Sequence, residues 1–188
     1  MKGVIHNILE AIVIDKYGAD TWDEMLDRAG VEGVYTTIGS YTDDDFVALA
    51  EQYAVIAQGD LPTCLREIGR AMLPHLADRY PEAVEQHPGP IRMIHALNDV
   101  IHPEVIKLYP GAVVPVFRCH EVDSRHIVLE YESPRGLCSL AHGLMLGVGD
   151  RFDQPLDVEQ SECRHVGDGR CLFRVSVVSD EDCSVARS

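Results

Sequence analysis

The apolar residues of this chain repeat at helical spacing as far as Tyr109-Pro110-Gly111, and beyond it they gather in short β-branched runs. One change of period argues for an α+β fold, with a helical N-terminal half packed on a C-terminal antiparallel sheet of about four strands plus a helix. Val4, Ile5, Ile8, Leu9, Ile12 and Val13 mark a first helix that closes at Tyr17-Gly18, and Thr21 suits the cap of a short second one. Thr42 caps a third, whose Asp43, Asp44 and Asp45 match the positive end of its dipole without needing a metal. Pro62 opens a fourth, with Leu65, Ile68 and Met72 along one side; Pro74 should bend it and Tyr80-Pro81 should end it. After the switch, residues 113–119 and 127–131 read as paired strands. A helix with apolar Leu137, Leu140, Ala141, Leu144, Met145 and Val148 follows, in which Gly143 and Gly147 permit close approach of another backbone. Residues 156–163 and 171–178 flank Gly167-Asp168-Gly169 as a hairpin. The expected organisation is one domain over residues 1–178, both halves sharing one core, and a polar tail over residues 179–188.

The chain has 188 residues, 31 acidic against 16 basic, for a net charge of −15. Nucleic acid and anionic membrane surfaces are repelled by such a chain, and no Lys/Arg stripe offers a local exception. No run approaches the roughly 18 uninterrupted apolar residues of a membrane span, and Met1-Lys2-Gly3 leads into no signal peptide. A cytoplasmic protein is expected. In that setting the six cysteines are thiols or ligands rather than disulfides.

Two stretches carry chemistry. Ile94, Leu97 and Ile101 recur at helical spacing up to His102, where Pro103 should bias the histidine away from helical angles and end or kink the helix. A neutral imidazole held there is a good axial ligand for iron, or else a hydrogen-bonded core residue. Pro134 disfavours helix at Ser133, so residues 131–135 should be extended with Tyr131, Ser133 and Arg135 on one face. Two hydroxyls and a guanidinium suit carboxylates, although Arg135 could equally pair with a surface acid.

Taken with Gly18-Ala19-Asp20-Thr21-Trp22, Leu97 to His102, Phe117-Arg118-Cys119 and Tyr131 to Cys138, the chain resembles the H-NOX (haem-nitric oxide/oxygen binding) family, which includes the haem domain of soluble guanylate cyclase. The resemblance implies haem b ligated by His102, with propionates on Tyr131, Ser133 and Arg135. It implies a first helix covering the open face through Ile5 and Leu9, and Pro115 pressing on the haem plane. The family's oxygen-binding members carry a tyrosine donor where this chain has Leu140; Leu144 is apolar one turn on, and His142 should point away. Nitric oxide and carbon monoxide are thus the expected ligands, with no stable oxygen complex unless His6 or His75 supplies a donor. Nitric oxide should release His102, and a separate effector such as a histidine kinase or a cyclic-dinucleotide enzyme should receive the signal, since no output domain follows in the sequence.

Some relatives hold zinc on three cysteines and a histidine. Cys138, Cys163 and Cys171 match the cysteines, but the fourth position is Gln160, and His165 is the nearest substitute; three buried thiols are the alternative. Two other functional classes are a thiol or zinc enzyme or redox sensor, using Cys138 or Cys163 with His142 or His165, and a haem carrier. No phosphate-binding loop, H-E-x-x-H or serine elbow supports an enzyme.

Overall fold

The computed structural model describes residues 1–178, so the tail expected over 179–188 lies outside the described residues. The first helix, α1 (Gly3–Tyr17), buries Val4, Ile8, Leu9, Ile12 and Val13 and stops where Gly18 takes a positive φ. Its start is strapped by the loop over residues 36–41: the amides of Gly3 and Val4 donate to the carbonyls of Gly39 and Thr37. Helix α2 (Ala19–Ala29) begins before Thr21, which is no cap; its hydroxyl donates back to the Tyr17 carbonyl. Thr42 does cap α3 (Asp43–Ala57) by accepting from the Asp45 amide, and Asp60 caps α4 (Leu61–Arg79), with Pro62 in its first turn. Helix α4 runs unbroken through Pro74.

A short α5 (Glu82–Glu85), which the periodicity does not reveal, leads to α6 (Pro90–His95). A π turn (Leu97–Ile101) then passes directly into α7 (His102–Leu108). The expected break at the histidine does not occur, because His102 has φ −65° and ψ −39°. The irregularity sits in the preceding turn, which leaves Pro103 at the start of α7, where its missing N–H costs nothing.

Strands β1 (Val116–Val122), β2 (His126–Glu132), β3 (Leu156–Glu162) and β4 (Cys171–Val177) form one antiparallel sheet in the order β1-β2-β4-β3. Phe117 faces Tyr131 and Leu129 faces Phe173 across the ladders, so their rings and branches fill the inner side. Helix α8 (Cys138–Arg151) packs between this sheet and α4. A methyl group on Gly143 would run into the Arg66 carbonyl, and one on Gly69 would meet the Leu140 carbonyl. At Gly147 it would stand 2.9 Å from the Arg70 carbonyl, so α4 and α8 lie backbone to backbone.

The core is not shared as one cluster. Helices α1 to α4 supply most of one set of buried side chains and the sheet with α6 and α8 most of another; Leu73 and Ala77 of α4 belong to the second set, Leu140 of α8 to the first, and Leu144 touches both. The two halves meet directly through α4 and α8, and residues of both line one cavity. No helix among the described residues is long and apolar enough to cross a membrane.

Candidate haem pocket

The cavity has a volume of about 560 Å³, within the range of small-molecule sites. One wall is apolar: Ile5 of α1, Leu73 and Leu76 of α4, and Leu140, Leu144 and Met145 of α8. The opposite wall is the π turn, α7, Pro115 and Phe117, and it carries His102. Leu9, expected beside Ile5, does not line the cavity. It is fully buried among the helices, and Val4 lines it instead.

Burial pushes the His102 imidazole pKa down, and the Pro115 carbonyl beside it offsets this only in part. The ring is therefore neutral near pH 7 and keeps a lone pair to offer. Nδ1 is buried, and the residue lines the cavity. The π turn that delivers the ring is braced on the sheet. Asn98 accepts from the Phe117 amide at 3.1 Å and donates to the carbonyl of the same residue, standing in for a neighbouring strand.

At the mouth stand Tyr131, Ser133 and Arg135. Only Tyr131 lies in a strand. Ser133 and Arg135 belong to a turn rather than the expected extended run: the Arg135 amide donates to Ser133 Oγ at 3.2 Å and Gly136 has a positive φ. The turn still aims all three side chains into one place. Burial pushes the Tyr131 phenol up, while the Ser133 hydroxyl and the Arg135 charge pull it back. Arg135 donates from Nε to Asp43 Oδ1 at 2.7 Å and from Nη1 to the Val113 carbonyl at 2.5 Å, which fixes its plane and leaves further N–H groups for an anion.

Asp43 escaped the sequence reading. Three acids at a helix start look like dipole partners, yet Asp43 also binds the Met1 amino group at 2.7 Å and so ties α1, α3 and Arg135 together. The Tyr80 and Tyr109 hydroxyls were missed as well. They meet each other at the cavity edge, one from the end of α4 and one from the end of α7.

Neither alternative donor faces the cavity. His6 is fully buried, stacked on Tyr35 with ring centroids 4.2 Å apart, and makes no hydrogen bond from either nitrogen. His75 lines a separate cleft with Asn7, Asp78 and Arg79. His142 turns toward Phe173 of the sheet. A neutral imidazole in an apolar cavity, opposite hydroxyl and guanidinium donors at the mouth, is the donor set that a haem requires.

The three thiols do converge. The sulfurs of Cys138, Cys163 and Cys171 all lie within 4.8 Å of one another, those of Cys138 and Cys163 at 3.8 Å. Burial pushes the Cys138 thiol up to about 11, against a hydrogen bond from the Gln160 amide. His165 is not with them: its Nε2 lies 2.6 Å from the Gly136 carbonyl oxygen. The expected fourth ligand is thus lost to a backbone partner.

A family model described as Haem-NO-binding matches residues 2–160. The chain belongs to that family. It is also similar to soluble guanylate cyclase gcy-32 of Caenorhabditis elegans, 29% identical over 173 residues that cover 81% of this chain and 23% of that protein. It thus spans less than a quarter of the length of such curated relatives. Among solved structures, the H-NOX protein from S. oneidensis in the Fe(II)NO state aligns with a TM-score of 0.89 and 28% identity, covering 95% of this chain and all of that one. The Fe(II) unliganded H-NOX protein from K. algicida aligns with a TM-score of 0.86 and 25% identity, over 96% of this chain and 98% of that one. The α+β reading and the resemblance to H-NOX proteins both stand. The family's domain is a haem-binding gas sensor, and in a cyclase relative such as gcy-32 it matches less than a quarter of the protein.

Proposed function

We propose that this chain is a gas sensor that takes nitric oxide and carbon monoxide, forms no stable oxygen complex, and reports by letting go of His102. The supporting observation is the placement of His102, a buried neutral imidazole facing a cavity whose mouth is set with Tyr131, Ser133 and Arg135. Haem, when bound, would supply a ferrous iron able to hold a diatomic gas. His102 would hold that iron, and Pro115, which lines the cavity beside it, would pack against the group. Tyr131, Ser133 and Arg135 anchor the carboxylates, so two independent attachments favour retention over a carrier's ready release. Ile5, Leu140 and Leu144 exclude water on the gas side and donate nothing. The Tyr80 and Tyr109 hydroxyls bond each other at the cavity edge, one donating and one accepting, away from the apolar lining that Ile5, Leu140 and Leu144 supply. Nitric oxide needs no donor, whereas oxygen does.

Because His102 opens α7, a change in how it is held would reach that helix, and a separate effector, such as a histidine kinase or a cyclic-dinucleotide enzyme in the cytoplasm, would receive the motion. The acidic surface favours a partner with a basic patch. Zinc has no part in this reading, because its tetrahedral structural sites need a fourth ligand that is not assembled among the described residues. The test is an absorbance scan of haem-supplemented protein under each gas. A Soret band that His102→Ala abolishes, and that nitric oxide but not air shifts persistently, supports the proposal. A colourless protein, or a lasting oxygen spectrum, defeats it.

A further inference from the structure

We infer that Cys138, Cys163 and Cys171 form a site for one soft monovalent ion, Cu(I), held in three-coordination, and not a zinc site. The three sulfurs come from different elements, the start of α8, the end of the β3 side and the first residue of β4, yet all lie within 4.8 Å of one another. A metal with sulfur bonds of about 2.3 Å at the centre of a triangle sets its sulfurs roughly 4 Å apart. Cys138 and Cys163 already stand at 3.8 Å.

The number of ligands discriminates between metals where distance does not. No fourth thiol, imidazole or carboxylate joins the cluster among the described residues. The Gln160 amide donates to the Glu162 carbonyl at 3.4 Å, and His165 faces the Gly136 carbonyl. Structural zinc is four-coordinate even where every ligand is sulfur, whereas Cu(I), which thiolates also favour, is satisfied by three. The Arg164 amide donates to Cys171 Sγ at 3.5 Å, which supports a thiolate there. Binding exchanges three S–H bonds for three Cu–S bonds, sends the protons to solvent and leaves the ion's oxidation state unchanged. Because Cys138 opens the helix that carries Leu140 and Leu144, the ion would pin the β3–β4 hairpin to the gas-side wall.

The inference does not depend on haem and is tested apart from it. Full-length protein is titrated anaerobically with Cu(I) against the chelator bicinchoninate, and separately with zinc against a zinc chelator. One Cu(I) per chain should be withheld from the chelator. Cys163→Ser, at a half-buried position, should lose it by more than about tenfold, since removing even an outer-shell partner costs that much. Gln160→His restores a fourth ligand and should raise zinc affinity by about tenfold or more while far-ultraviolet circular dichroism stays unchanged. Withholding of no Cu(I), equal retention by Cys163→Ser, or zinc held as tightly by the wild type as by Gln160→His would overturn the inference.

Discussion

The two walls of the cavity are built in opposite ways. On the wall away from His102, α4 and α8 meet through Gly69, Gly143 and Gly147, so closely that no methyl group fits between them. On the histidine side, the π turn and α7 contain no buried residue at all, and Ile106 and Leu108 stand exposed. Packing at the first wall resists deformation, while the second is held by a few named contacts, those of Asn98 and Tyr109 among them. A stimulus arriving between a stiff wall and a lightly held one moves the lightly held one. The histidine thus sits on the lightly held wall, and Leu140 and Leu144, which the proposal assigns to the gas, sit on the stiff one.

The sharpest way to break this contrast is to wedge the stiff wall. Gly143→Val places branches against the Arg66 carbonyl and should cost about 3 kcal/mol, lowering Tm by roughly 6–12 °C. Ile106→Ala on α7 should stay within about 0.5 kcal/mol. Equal losses measured by thermal unfolding would mean the walls do not differ.

Hydrogen exchange reads the same difference without mutation. Amides of residues 97–108 should exchange through local opening, well before those of α4 and α8, which should wait for global unfolding. Comparable protection in both segments would remove the basis for directed movement.

Selectivity sharpens the role of the stiff wall. Leu140→Tyr puts a phenol into the cavity from α8, and a hydrogen bond to a ligand carrying negative charge is worth about 1.5–3 kcal/mol, roughly ten- to hundredfold in the dissociation constant. An air-stable ferrous spectrum should appear in this variant alone. Its absence would show that a hydroxyl at residue 140 does not reach the gas.

The smallest effect concerns the mouth. Burial alone would push the Asp43 carboxyl up, but Arg135 and the Met1 amino group hold it below its ordinary value. A carboxyl depressed in the folded state contributes stability above its unfolded pKa and loses that contribution as pH falls through its folded pKa. With 40% of its side chain exposed, the pair is worth at most about 1 kcal/mol. Asp43→Asn should therefore lower Tm slightly at neutral pH and flatten its fall below about pH 4. An unchanged acid limb would show that Asp43 is not what holds Arg135.

The helices and strands were legible because each has one buried face, and periodicity reports faces. His102, Tyr131, Ser133 and Arg135 were legible because their spacing around prolines is distinctive, and all four do line the cavity. The local backbone around them was not. Pro103 signals a break at the residue before it, yet the chain absorbs the irregularity one turn earlier, a choice that depends on Asn98 finding the backbone of Phe117. Leu9 shares a helical face with Ile5, so sequence placed both in the cavity; only packing of the other helices decides where that cavity ends. Asp43 was hidden for the opposite reason, since its local role beside Thr42 is a sufficient explanation for an acid there. Convergence of Cys138 with Cys163 and Cys171 followed from the hairpin, but the diversion of His165 to Gly136 is a tertiary event without a sequence signal.

A π turn holds one more residue than an α-helical turn, so it acts as a phase shift between α6 and α7. Deleting any one residue from Leu97 to Ile101 would restore a continuous α-helix with every cavity-lining type downstream still present. It would also swing the His102 ring about 100° around the helix axis and draw it back about 1.5 Å. The aim of the histidine is therefore kept by a count of residues as much as by their identity, and a length change there would disable the site more thoroughly than most substitutions.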